Sequence, residues 1–303
     1  MTLDTAELAR WCQEQLGAEP AETLFETGHL SQVVGLRLAD GREVVVKVRP
    51  AATRLAACTT VQRHLWAAGF PCPEPLVGPG SLGAWMVTAE AYMPGGAKGP
   101  ASAQELPELS AHGLRELVEK APAPDEVGEL DPPPPWFGYG HRQAGLWPEL
   151  ALDDPHGDLS AAGEPWIEDA ARHARARLDA CRFEPVIGHG DWWTGNLRWL
   201  GDELHAVDDW DSVVRAPEAA IVGAAATAFA ETHTVPGATI AEAEAFFAAY
   251  GRDWSQDERE VAWAAGLWLL AFNAKSEAVR GIHDRTAPFL KHELEERLRR
   301  AGA

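Results

Sequence analysis

The order of local signals constrains this chain more than any other feature. Strand signals crowd the first ninety residues, and helical spacing fills nearly everything after the run Tyr92-Met93-Pro94-Gly95-Gly96. A Pro-Gly-Gly run between two such regions reads as a hinge. The 303 residues are also about two average domains' worth of chain. The expectation is therefore an α+β body with two lobes: a small antiparallel-sheet lobe over residues 1–93 and a larger helical lobe over 94–303.

After a short leading helix, Val33–Leu38 and Glu43–Val48 flank the turn pair Asp40-Gly41, a strong hairpin signal. Arg54–Ala68 carries a helical pattern stopped by Gly69 and Pro71, and Trp85–Glu90 reads as a further strand. Beyond the hinge, Ser102–Lys120 and Ile167–Cys181 have amphipathic helical spacing. Between them, the prolines at 132–135 and the glycine-rich stretch Phe137–Gly145 predict an irregular excursion, because consecutive prolines suit neither helix nor central strand. A second hairpin joins Leu197–Leu200 to Leu204–Val207. From Ala219 onward the chain reads helical, with a break near Val235-Pro236-Gly237.

Charge narrows the partners. Forty-six acidic against 26 basic residues leave a formal charge of −20, which repels phosphate backbones and anionic lipid. Nucleic acid and membranes are thus poor candidates. A cationic small molecule is favoured, although acidic excess also simply aids solubility. Cys12, Cys58, Cys72 and Cys181 form no C-x-x-C pair and read as reduced thiols. The first residues show no secretory signal, and the longest nearly apolar runs, Ala219–Ala230 and Val261–Phe272, are too short to cross a bilayer. The expected location is the cytoplasm.

The chemistry concentrates in V-I-G-H-G-D-W-W-T-G-N, containing His189, Asp191 and Asn196, followed thirteen residues later by Asp209 in D-W-D-S. Apolar residues lead into His189, and the hairpin at Gly201-Asp202 folds the chain back so that Asp209 returns near Asn196. An amide and a carboxylate so placed are hard oxygen donors that suit Mg²⁺ together with substrate phosphates. Asp191 remains to accept a hydroxyl proton, the layout of phosphoryl transfer. The plainer alternative is that Asp191 and Asn196 cap a turn.

Lys47 lies in EVVVKV, on the strand face it shares with Val45. Only five of the 26 basic residues are lysines, so an ammonium within a valine run points to a required charge, such as one reaching nucleotide phosphates. An edge lysine that deters aggregation is the alternative. Upstream, Gly28 interrupts the strand pattern, and its neighbouring N–H groups with Ser31 suit phosphate oxygens, a weak motif alone.

HGDWWTGN followed by DWDS, with the lysine strand and G-F-P-x-P at Gly69–Pro73 in the right order, resembles the aminoglycoside phosphotransferase family of small-molecule kinases. The resemblance spans nearly the whole chain. It implies a protein-kinase-like fold and an ATP- and Mg²⁺-dependent transfer to a hydroxyl of a small molecule. An aminoglycoside or another amine-bearing antibiotic or metabolite is among the acceptors it allows. It also implies roles: Asp191 as catalytic base or orienting carboxylate, Asn196 and Asp209 on Mg²⁺, Lys47 on the α/β-phosphates, and Gly28 with Ser31 in the phosphate loop. Ala91–Met93 would face adenine through backbone groups, and His189 would be a positioning residue. The proline-rich excursion and the C-terminal helices, with Glu231, Glu242 and Glu244 nearby, are the regions where such enzymes usually meet the acceptor.

Two departures stand out. The first-lobe helix of the family offers a glutamate to the strand lysine, yet 51–70 contains no acid, which leaves Gln62, Thr60 or a residue outside the helix. A catalytically weak or inactive nucleotide-binding protein is the resulting alternative. Second, Ile221 stands where an aspartate usually supports the metal loop, so that support must be built differently. Asp208 and Asp211 read as solvated carboxylates. A metal-dependent hydrolase built on His189, Asp191, His205, Asp208 and Asp209 is a further rival, but it leaves Lys47 unexplained. The thirteen tryptophans read mostly as core.

Overall fold

The computed structural model describes residues 5–28, 31–151, 154–161 and 163–302. Helix α1 (Thr5–Leu16) precedes strands β1 (Pro20–Thr27), β2 (Gln32–Leu38) and β3 (Glu43–Pro50). Helix α2 (Leu55–Ala67), β4 (Pro75–Leu82) and β5 (Trp85–Ala91) follow. The strands form one antiparallel sheet in the order β1-β2-β3-β5-β4. Gly41 at φ 90° closes the β2–β3 turn, a conformation that glycine adopts without strain. Within this sheet, β1 and β4 are the strands that the sequence signals did not reveal, and both are sheet edges. β1 is mostly polar and exposed, and β4 carries Pro75, Pro79 and two glycines, as edges tolerate and central strands do not.

Period-2 alternation sorts β3 into two faces. Val44, Val46 and Val48 join Leu8, Trp11 and Leu36 in one apolar cluster with α1 beneath the sheet. Val45 and Lys47 point to the opposite side, into a cleft. Helix α2 makes the other choice. Its Ala57, Cys58, Val61 and Leu65 belong to the large core built by the second half of the chain, where Phe70 meets Trp210 edge to face at 6.1 Å.

That second half holds α3 (Leu106–Lys120), α4 (Pro165–Asp179), α5 (Glu218–Ala228), α6 (Ile240–Tyr250), α7 (Gln256–Val279) and α8 (Thr286–Arg300). Two antiparallel pairs are set among them: β6 (Pro185–His189) with β9 (Val213–Pro217), and β7 (Leu197–Leu200) with β8 (Glu203–Val207). Reciprocal capping boxes start α6 (Thr239 and Glu242) and α7 (Ser255 and Glu258). Helices α5 and α7 cross at glycines. A Cβ on Gly223 would stand 1.9 Å from the Ala262 carbonyl oxygen, and one on Gly266 would stand 2.2 Å from Thr227 Oγ1. A strand-built small lobe over a helical large one is the protein-kinase-like arrangement that the sequence predicts.

Candidate active site

Strand β6 ends at His189, so the chain leaves the core at Gly190-Asp191 and returns through β7 just after Asn196. The β7–β8 hairpin then brings Asp208 back beside Asn196, whose carbonyl accepts the Asp208 N–H at 2.9 Å. Asp209 follows at φ 61°, a left-handed conformation, and opens the turn Trp210–Ser212. The Asn196 amide donates from Nδ2 to Asp191 Oδ2 at 2.7 Å and to the Asp191 carbonyl at 2.9 Å. Its Oδ1 therefore faces away. Ser212 donates to Asp209 Oδ2 at 3.2 Å. Among the described residues, neither Asn196 Oδ1 nor Asp209 Oδ1 accepts a hydrogen bond, which leaves two hard oxygen donors of the kind Mg²⁺ takes along with phosphates.

His189 stitches the two segments together. Its Nδ1 accepts the Asp191 N–H at 3.2 Å, so its Nε2 carries the hydrogen, which faces the Asp208 and Asp209 carbonyls at 3.2 and 3.1 Å. Burial lowers its pKa, against the raising effect of the Asp209 charge and the two carbonyl contacts. These contacts tie the loop carrying Asp191 to the segment carrying Asp209. The Asp191 carboxyl is pushed up to about 8, first by burial and then by the nearby Asp209 charge, with the Asn196 bond pulling the other way.

Lys47 Nζ meets Glu90 Oε1 at 2.9 Å, and Gln62 of α2 donates to Glu90 Oε2 at 2.9 Å. The lysine's partner thus comes from strand β5, and the helix supplies an amide that holds that partner. Glu90 escaped the sequence reading because strand register, and not helical spacing, brings it to Lys47. Its only signal was an acid closing an otherwise apolar strand.

Asp208 and Asp211 keep part of their surface exposed, as expected, but each is also held by an arginine. Arg198 grips Asp208 with Nε at 2.8 Å and Nη2 at 3.0 Å, while Arg49 pairs with Asp211 and donates to Thr88 at 2.6 Å. These arginines, with His189 and Ser212, are the support of the Asp209 turn. Ile221 instead packs beneath β6, where a Cβ on Gly188 would fall 2.8 Å from it. The hydrolase rival loses its ligands to these contacts: His189 and Asp208 are engaged as above, and His205 Nε2 lies 3.0 Å from the Pro94 carbonyl. Among the described residues no group of three or more His, Cys, Asp or Glu can hold a metal.

At the linker, the Ala91 N–H goes to Glu74 and the Tyr92 N–H to Glu43, while the Met93 carbonyl accepts from Arg198 at 2.6 Å. The Met93 N–H has no protein partner among the described residues. On the far side of the cleft, a Cβ on Gly28, at φ 140°, would lie 1.8 Å from the Ser31 carbonyl oxygen, so only glycine fits this turn. His29 and Leu30 of the same segment lie outside the described residues.

All eight residues nominated from the sequence (Gly28, Ser31, Lys47, Ala91, Met93, Asp191, Asn196 and Asp209) line one cavity of about 900 Å³ between sheet and helices. Of the three glutamates in that C-terminal region, Glu231 lines a cavity beside Asp191. Glu242 caps α6, and Glu244 pairs with Arg300. Trp192, Trp210, Trp263 and Trp268 are buried as core, whereas Trp193 faces the cleft together with Trp136, which the sequence reading did not single out. No described helix is long and apolar enough to cross a membrane, and all four cysteines are free.

A two-lobed fold with a lysine–glutamate pair facing an Asp–Asn–Asp cluster defines a protein-kinase-like phosphotransferase. The sequence model of the phosphotransferase enzyme family, APH, matches residues 22–263, and this chain belongs to that family. Among solved structures, it is similar to a thermostable variant of aminoglycoside phosphotransferase APH(4)-Ia in complex with ADP and hygromycin B. The TM-score is 0.62 at 15% identity, covering 98% of this chain and 99% of that one. It is also similar to an amicoumacin kinase in complex with AMP-PNP and Ca²⁺ (TM-score 0.63, 10% identity, 97% and 94% covered). A third likeness is to a putative fructosamine-3-kinase from Thermobifida fusca (TM-score 0.59, 18% identity, 97% and 98% covered). Among curated proteins no sequence matches.

Proposed function

We propose that this chain transfers the γ-phosphoryl group of ATP, with Mg²⁺, to a hydroxyl of a small molecule. The observation that carries the reading is the convergence of eight residues from five separate segments on one cavity. In this reading Lys47, held by Glu90, meets the α/β-phosphates, and the Gly28 turn with Ser31 covers phosphate oxygens. The Ala91–Met93 backbone faces adenine, with the Met93 N–H as donor. Asn196 and Asp209 hold Mg²⁺, which when bound neutralises charge on the transferring group. Asp191 orients the acceptor hydroxyl and takes its proton.

The Lys47–Glu90 pair removes the main reason to read the protein as an inactive nucleotide binder. The acidic surface and the amine-bearing ligand named with the similar phosphotransferase, hygromycin B, support an amine-bearing antibiotic or metabolite as acceptor. The reading also places the lobe boundary near residues 93 and 94, and the protein in the cytoplasm, where Mg·ATP is available and thiols stay reduced.

The test is phosphate transfer from Mg·ATP to a panel of amines and sugar alcohols by the parent and by Asp191→Asn. The variant should bind nucleotide and lose turnover. A variant as fast as the parent on a substrate found this way defeats the mechanism.

A further inference from the structure

Strand β3 sets a row of side chains along one wall of the cleft. The Tyr92 N–H donates to the Glu43 carbonyl at 3.0 Å, so the first residue of β3 lies against the linker. Alternate residues on one face of a strand follow at intervals of about 7 Å. Val45, Lys47 and Arg49 all line the large cavity, with Val45 nearest the linker and Arg49 farthest from it. At that far end Arg49 pairs with Asp211, two residues beyond Asp209.

Arg49 is an expensive residue to keep there. Only 6% of its surface is exposed, and among the described residues its Nε has no hydrogen-bond partner, although Nη2 donates to Thr88. Burial lowers its pKa, and the Asp209 charge is the foremost influence acting the other way. A buried guanidinium with an unused donor is unfavourable unless a ligand or water meets it.

Most other cations of the cavity are spent. Arg54 donates to the Pro132 and Val213 carbonyls, and Arg198 grips Asp208 and the linker. Lys98 donates to the Gly195 carbonyl and is more than half exposed.

We infer that Arg49 is a catalytic residue that meets the γ-phosphoryl oxygens of bound ATP, one station beyond the Lys47 contact with the α/β-phosphates. The inference rests on the kinase reading above and adds a group to its machinery. A guanidinium fork matches phosphate oxygens with two prongs, and its charge is permanent. During transfer, negative charge spreads over the three outer oxygens of the γ-phosphoryl group, where a fixed cation counters it without exchanging a proton. Asp211 then does for Arg49 what Glu90 does for Lys47: it aims the side chain.

Nucleotide titrations separate this contact from mere support of the Asp209 turn, and they need no acceptor. The intact chain and its variants are titrated with Mg·ADP and with Mg·AMP-PNP, which differ in the γ-phosphoryl group. The parent should bind AMP-PNP more tightly than ADP. Arg49→Met should weaken AMP-PNP about tenfold or more, as loss of a hydrogen bond to a charged group implies, and leave ADP within about twofold. Asp211→Asn, which removes the partner and keeps the arginine, should retain the parent's preference. Should Arg49→Met fail to fold, its combination with Asp211→Asn leaves no lone buried charge and should show the same selective loss. Equal weakening of both nucleotides, or of neither, overturns this inference alone. So does a parent without preference for AMP-PNP, or a preference lost in Asp211→Asn. A parent that binds neither nucleotide overturns the kinase reading as well.

Discussion

The Arg198 guanidinium holds both carboxylate oxygens of Asp208, at 2.8 and 3.0 Å, while donating to the Met93 carbonyl at 2.6 Å and the Gly95 carbonyl at 2.7 Å. One side chain thus joins the linker to the segment carrying Asp209. Arg198→Ala should raise the KM for ATP about tenfold, or ~1.4 kcal/mol. Arg198→Lys should recover little, because an ammonium cannot reproduce the two-pronged contact. Thermal-shift titration with Mg·ATP reads the change, and an unaltered midpoint refutes the coupling.

Asp191 makes a pH prediction. Its carboxyl is raised to about 8 in the folded chain from about 3.8 unfolded, so the native state binds more protons across that interval. Stability of the nucleotide-free protein must therefore fall as pH rises through the window. Asp191→Asn removes the penalty. The variant should melt above the parent at pH 8, with the gap closing toward pH 4, and paired melting curves across that range check it.

Lys47 and Glu90 form a buried pair, and removing one partner of such a pair costs about 3–5 kcal/mol. Glu90→Ala should lower Tm by several degrees and raise the KM for ATP, whereas Lys47→Met with Glu90→Leu should regain stability without activity. Gln62→Glu, which supplies the missing helix acid, should harm nucleotide binding, because Glu90 already sits 2.9 Å from that side chain. Improved binding in Gln62→Glu contradicts the assigned pairing.

At Gly223 two effects oppose. Alanine is preferred over glycine within a helix by about 1 kcal/mol. Here its methyl would lie 1.9 Å from the Ala262 backbone oxygen, which cannot rotate aside as a side chain can. Overpacking of this kind costs ~1–3 kcal/mol, and separation of α5 from α7 spreads it. Gly223→Ala should lower Tm, and a neutral or raised value in a melting curve contradicts this crossing.

Local signals revealed what local forces decide. Asp40-Gly41, the alternation through Val44 to Val48, and the Gly69 stop yielded β2, β3 and α2 almost to the residue. The H-G-D-x-x-x-x-N string exposed Asp191 and Asn196 because a short loop joins them. What stayed hidden depends on distant pairing. Glu90 reaches Lys47 by strand register, and Arg49 and Arg198 find Asp211 and Asp208 across 162 and 10 positions.

The allegiance of α2 has a consequence for dissecting the chain. Ala57, Cys58, Val61 and Leu65 find their apolar partners in the helical body, together with Phe70, and not under the sheet that precedes and follows them. A fragment cut at residue 93 would bare that stripe to water and carry it as a sticky flank, so its five strands should precipitate or recruit copies of themselves. The halves are recognisable by eye yet inseparable by scissors, and ligand studies need the intact polypeptide.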